Sequence, residues 1–243
     1  MTPYDVQTDP RDGSMPGLGA YELAERGFFH KVFGWMGGGL LLTAMVAWYF
    51  GTPERFVPIF GRHPGIVIAL VIVQLVLVFA ISSAVRRLSE TWAATLFVLY
   101  SALTGLTLSS LFLVYTSASI ASTFLASGGT FAAAAIYGAV TKKDLTSFGR
   151  LMFMGLVGIV LASVVNLFLH SNGLSWAISF VGVFVFIGLT AFDMQKLKDW
   201  NRHVGADDSR AQGAIAVGGA LMLYLDFINL FIYMLRFMGQ RRE

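Results

Sequence analysis

Asp226 and Asn229 stand near the middle of the apolar run LYLDFINLFIYML, Leu223 to Leu235. An aspartate at the centre of a membrane helix costs about 3 kcal/mol on insertion scales, so such an acid faces a bundle interior or water and marks a functional site by default. Asn229 and Tyr233 follow Asp226 at helical spacing, and the three form one polar stripe. A second acid, Asp193, closes the preceding apolar segment in GLTAFDMQKLKD, close to Lys196. Two carboxylates that meet in a low-dielectric site cannot both ionise cheaply. They share a proton and titrate as a unit, which makes a proton sensor from aspartate alone. By residue count Asp226 lies deeper from the inner side than Asp193, so a water-filled vestibule or unequal helix tilt has to bring them together. Arg86 and Arg87 end an earlier apolar run on the same side. Each can serve as an interfacial anchor, or one can reach the acid pair as a closed-state latch, with Arg87 the preferred candidate.

The chain offers little competing chemistry. His30, His63, His170 and His203 are scattered at segment ends, without HExxH or a paired spacing, so zinc is unsupported. No P-loop, dinucleotide fingerprint or GxSxG occurs, and the glycines of GWMGGG lie inside an apolar span. Paired aspartates on consecutive late spans also suit an intramembrane aspartyl protease. Here Phe192 and Leu225 precede the acids, and both GxGD and PAL motifs are absent. The chain has no cysteine, which excludes disulfides and thiolate chemistry. It reads as a non-enzyme with no cofactor.

The elements that must position these acids are membrane helices. With 56% hydrophobic and only 13% charged residues, 243 residues exceed what a soluble domain keeps from water. Seven apolar runs are long enough to span a bilayer: Phe33–Phe50, Gly65–Val85, Trp92–Tyr115, Ser119–Val140, Leu151–His170, Leu174–Phe192 and Gly213–Phe237. Continuous runs of this length mean an all-α polytopic bundle. All six prolines fall at or before Pro64, so a later kink has to come from glycine, Ser/Thr back-bonding or inserted water. Residues 1–27 read as a mobile cytoplasmic arm, polar and proline-bearing, and 28–243 as one membrane domain. Tyr21 to Lys31 reads as an amphipathic lead-in, and Gln195 to Gln212 as a solvated inner loop. Of the 17 Lys and Arg, all but Arg55, Arg62, Arg236, Arg241 and Arg242 fall inside if the N-terminus is cytoplasmic. Three of those five lie in the C-terminal tail, which leaves a re-entrant seventh segment as a minority alternative. These bases sit in short loops rather than in a patch, so the pI near 9.3 does not imply nucleic acid. Gly34 and Gly38 form a GxxxG expected to pack closely, the hydroxyls of span three suggest packing rather than a pore lining, and Gln74 and Asn166 read as interhelical glue.

The segments SALTGLTLSSLFLVYTSASIASTF (Ser101–Phe124), YGAVTKKDLTSFGRLMFMGLVG (Tyr137–Gly158), GLTAFDMQKLKD (Gly188–Asp199) and LYLDFINLFIYMLRFMG (Leu223–Gly239) resemble the Bax inhibitor-1 family of transmembrane Bax inhibitor motif proteins, in particular its bacterial YccA-like branch. The resemblance runs from about Glu22 onward. It implies a seven-helix bundle with the last helix near the centre, and a pH-sensitive calcium leak. The sensing aspartates of helices six and seven look like Asp193 and Asp226, and the latch arginine of helix two like Arg86 or Arg87. Phe192 replaces a tyrosine frequent in relatives and removes a hydroxyl from that site. The expected function is therefore a proton-gated cation pathway in a bacterial inner membrane. Ca²⁺ is the transported ion, touched transiently by Asp193 and Asp226 with Asn229 on the pathway. The alternative is a non-channel regulator that restrains a membrane quality-control protease or a stress or cell-death pathway. The expected partners are the lipid bilayer, calcium ions, protons and possible membrane protease complexes, with no nucleic acid.

Overall fold

A computed structural model describes residues 18–61, 65–84, 89–203 and 209–242. Among them are seven helices long and apolar enough to cross a membrane: α1 (Leu18–Phe50), α2 (Gly65–Ala84), α3 (Glu90–Leu108), α4 (Ser117–Val140), α5 (Thr146–Leu169), α6 (Asn172–His203) and α7 (Ser209–Met238). Short helical pieces follow α1 at Pro53–Phe56 and Val57–Gly61, and Leu111–Val114 continues α3. No strand occurs among the described residues, which hold one isolated bridge between Tyr115 and Arg241. The protein is an all-α polytopic membrane bundle.

Local signals start several of these helices. Ser89 Oγ accepts from the Trp92 amide at 3.4 Å and Thr116 Oγ1 from Ser119 at 3.2 Å, as side-chain caps do at a helix N-terminus. Asp144 Oδ1 accepts the Thr146 amide at the start of α5. Hydrogen bonds from the Thr146 side chain and backbone hold that carboxyl below its usual range. At its far end α5 stops at His170, whose φ of 49° is left-handed.

α7 is the axis of the bundle. Within its membrane window 72% of residues are buried, against 6% in α2 and in α5. It packs on α1, α3, α4 and α6. The Phe227 ring meets Phe124 and Phe131 of α4, and Tyr224 meets Phe97 and Tyr100 of α3. At mid-bundle Thr43 Oγ1 donates to the Ser101 carbonyl at 2.8 Å and lies 2.6 Å from the Tyr224 hydroxyl, tying α1, α3 and α7 together. Tyr224→Phe is expected to cost about 1 kcal/mol of stability, because it removes one buried hydrogen bond while the Thr43 hydroxyl keeps its carbonyl partner. A thermal-unfolding comparison in detergent measures this.

Span three runs from Glu90 to Val114, close to its expected bounds, with a two-residue turn after α3 ends at Leu108. Ser109 and Ser110 turn their hydroxyls back onto the carbonyls of Leu106 and Thr107 at 2.6 and 3.0 Å, and this back-bonding competes with the helix ladder. The described part of Gln195 to Gln212 is helix rather than loop: α6 stays helical to His203 and α7 begins at Ser209. Lys196, Leu197, Lys198 and Trp200 are residues that extend a helix, and the first glycine after Asp193 is Gly205.

The GxxxG expectation fails. A Cβ on Gly34 or Gly38 would meet nothing within 4 Å, whereas the close α1–α3 approach lies at Gly39 against Phe97 and Ser101, and at Gly105 against the Thr43 carbonyl. The amides do act as glue. Gln74 donates to Thr107 between α2 and α3, and Asn166 joins Ser175 and the Ser171 amide between α5 and α6.

The chain alternates between two faces. Glu25 at the start of α1 pairs with Lys198 at 4.0 Å, and Lys198 reaches the Ala139 carbonyl at the end of α4. At the opposite face the tail after α7 pairs with the end of span three, through Thr116 to the Gln240 carbonyl and Arg242 to the Val114 carbonyl. A helix of 30 residues is about 45 Å long, so α7 passes from the first face to the second and does not turn back. The mobility expected for residues 1–27 concerns mostly positions outside the described residues; α1 is already helical from Leu18.

Candidate functional site

Asp193 on α6 and Asp226 on α7 line one cleft of about 650 Å³, with Asn229, Lys196 and Arg150 in its wall. The floor is apolar, formed by Leu156, Phe186, Leu189 and Leu225 among others. Asp226 is buried at 5% exposure, while Asp193 is half-buried. The two carboxylates act on each other electrostatically, and both feel the Lys196 ammonium.

Their meeting comes from helix register and needs no unequal tilt. Gly182 packs against Tyr233, and Gly219 against Leu197. α6 and α7 therefore run antiparallel in a register that sets Asp193 and Asp226 within about one helical turn of the same level. By residue count alone Asp193 falls at a helix end. Because α6 continues to His203, Asp193 lies inside the membrane-length helix instead.

Asp226 Oδ2 is the one buried side-chain oxygen or nitrogen among the described residues without a hydrogen-bond partner. A buried polar atom left unpaired is costly and calls for a reason. Its neighbour Asn229 does not satisfy it, since the Asn229 amide donates to its own Leu225 carbonyl at 2.8 Å. The polar stripe is split. Asn229 shares the acid cleft, while Tyr233 stacks near Phe186 and opens onto a second cleft at the other face.

The expected latch residues Arg86 and Arg87 lie outside the described residues. The cations found at the cleft are Lys196, one turn past Asp193, and Arg150 from the first turns of α5. Lys196 Nζ sits 5.8 Å from the Phe192 ring centroid and 5.0 Å from that of Trp200. The aromatic in place of a tyrosine thus gives the ammonium a π face. Lys196 was visible in sequence beside Asp193. Arg150, 43 positions upstream of Asp193, carried no signal.

Two carboxylates and an amide supply fewer oxygens than the about six to eight that a resident calcium takes, and no group of three or more His, Cys, Asp or Glu is found among the described residues. The cleft suits transient contact with a cation better than a held ion.

The site also bears on kinship. A family model described as "Inhibitor of apoptosis-promoting Bax1" matches residues 25–243, which include the whole cleft. The chain belongs to the Bax inhibitor-1 family. Similar bacterial proteins share this extent. The Escherichia coli K12 protein described as inner membrane protein YbhL is 50% identical over 215 residues, 88% of this chain and 92% of its own length. A Borreliella burgdorferi protein is 45% identical over 91% of this chain and 95% of its own. A Streptococcus pyogenes serotype M1 protein described as an uncharacterized membrane protein is 39% identical over 88% and 92%. Family membership agrees with the seven-helix architecture around α7, and the Bax inhibitor-1 motifs in Gly188–Asp199 and Leu223–Gly239 are the two that carry the acids of the cleft.

Proposed function

We propose that this protein is a proton-gated leak for cations, calcium foremost, in a bacterial inner membrane, with its N-terminus in the cytoplasm and no enzymatic reaction. The observation that carries the reading is the unpartnered carboxylate oxygen of Asp226 beside Asp193 in a cleft between α5, α6 and α7. Such a pair binds or releases a proton as a unit. In the closed state the ionised pair is clamped by its cations, Lys196 and Arg150 in the cleft wall and Arg86 or Arg87, which follow α2 in the sequence. Protonation weakens that clamp and lets the helices around the cleft separate. α2 is the natural moving part, since it packs mainly on α3 and is scarcely buried. Full protonation removes the negative charge that draws the ion, so flux is expected to pass through a maximum as pH falls. The excess of basic residues on the loops of the first face supports the N-in orientation, and the name of the YbhL relative supports the inner membrane.

Calcium flux into proteoliposomes of the purified chain, measured across a pH series, tests the reading. Flux must exceed that of empty liposomes and depend on pH; no excess at any pH ends the proposal. Lys196→Met is expected to raise flux several-fold at the pH where the wild type is closed, because it removes a clamping charge while keeping an unbranched side chain beside Met222. An unchanged closed-state flux would remove Lys196 from the clamp.

A further inference from the structure

The opposite face carries a second cleft of about 770 Å³ between α5, α6 and α7, and its polar wall includes Tyr115, Asn166, Ser175, Tyr233, Arg236 and Arg241. It shares no residue with the acid cleft. Arg236 ends α7, and Arg241 comes from the tail that folds back over the bundle. That tail is fixed rather than loosely placed: Gln240 donates to Ser119 Oγ at 2.9 Å, Thr116 donates to the Gln240 carbonyl at 3.2 Å, and Arg242 donates to the Val114 carbonyl at 2.9 Å. The bridge between Tyr115 and Arg241 thus brings a second guanidinium to the cleft that Arg236 already lines.

Two like charges brought to one cleft repel unless an anion joins them. Among the described residues, neither guanidinium has a carboxylate within 4.0 Å and Glu54, the only described acid on this face, is not in the cleft; Glu243 lies outside the described residues. Arg55 of the same face is different, since its guanidinium donates to the Tyr49 carbonyl at 2.8 Å and lies 4.0 Å over the Tyr49 ring. Guanidinium forks match phosphate oxygens in a bidentate way. The hydroxyls of Tyr115, Tyr233 and Ser175 add donors. The outward wall of the cleft is apolar at Val160, Val164 and Leu167, three exposed side chains of α5. The geometry points to a binding site for a phosphate-bearing anion in this cleft, held between Arg236 and Arg241 and supplied either by a lipid headgroup or by free phosphate. Basic pockets between membrane helices take headgroups in this manner.

Trp176 lines the cleft and provides a reporter. The whole chain is placed in phosphatidylcholine nanodiscs, and its fluorescence is followed by difference against Trp176→Phe. In one arm the discs carry a rising fraction of phosphatidylglycerol, and in the other inorganic phosphate is added to pure phosphatidylcholine discs. A saturable response is expected. The R236Q/R241Q double variant is expected to need about tenfold more probe for half-saturation, with Arg55→Gln unchanged. Saturation by phosphatidylglycerol alone assigns the site to a lipid headgroup, and saturation by phosphate assigns it to a free anion. Arg241→Gln, which lies beyond α7, gives the same reading should the double variant fail to fold. The proposal is overturned by the absence of saturation in both arms, by an equal response in the arginine variants, or by an equal loss in Arg55→Gln, which would mean diffuse interfacial charge.

Discussion

Asp226→Asn is expected to leave the bundle folded and to flatten the dependence of calcium flux on pH. The change keeps the shape of the side chain and replaces an oxygen that already lacks a partner among the described residues, so no hydrogen bond is broken. It removes a buried ionisable group, and stability should hold or rise, because a buried charge without full compensation is costly. Asp193→Asn acts on the same titrating unit from the half-buried side and should weaken the pH response in part. The double variant should lose no more than Asp226→Asn alone, since members of one unit are not additive. Flux through the series in proteoliposomes, beside thermal unfolding of each variant, measures both halves of the expectation. If both single variants keep the wild-type pH profile, the paired-acid gate is wrong, whatever the size of the flux.

The two acids were legible because an ionisable side chain in an apolar run is rare and expensive. Nothing local could say that they meet. That depends on α6 staying helical past Asp193, and the charged residues Lys196, Lys198, Asp199 and Arg202 read as a loop by polarity although they continue the helix. Charge decides where a helix leaves the membrane, not where it ends. Gly34 and Gly38 misled for a related reason: their spacing fits a packing motif, but which helix face meets a neighbour is set by the whole bundle. The seam fell one residue along, at Gly39. Arg150 is a further case, brought to the cleft by the packing of α5 on α6 with no sequence pattern to announce it. The seven helices and the central place of α7 were readable from length, apolarity and the family motifs, because those are properties of segments and not of contacts.

Gly138→Ala is expected to destabilise the protein by about 1–3 kcal/mol, the usual range for an overpacked core, and Gly34→Ala to do nothing or to stabilise it. Gly138 on α4 is buried where a Cβ would run into the backbone carbonyl of Ala191 on α6. A backbone atom cannot swing aside as a side-chain tip can, so one helix must move. On the next helix face, Gly149 of α5 lies against the Phe192 ring. The two residues before Asp193 are thus gripped from α4 and from α5, and the grip sets where that carboxylate sits. At Gly34 an added methyl meets nothing within 4 Å, and alanine is favoured over glycine in a helix by about 1 kcal/mol. A reading from GxxxG spacing predicts the opposite order. Thermal midpoints of the two variants in detergent decide between them, and equal midpoints would contradict the close α4–α6 contact. Gly138→Ala carries a second readout. Displacing α6 moves Asp193 relative to Asp226, so the pH profile of flux should change in Gly138→Ala and stay that of the wild type in Gly34→Ala.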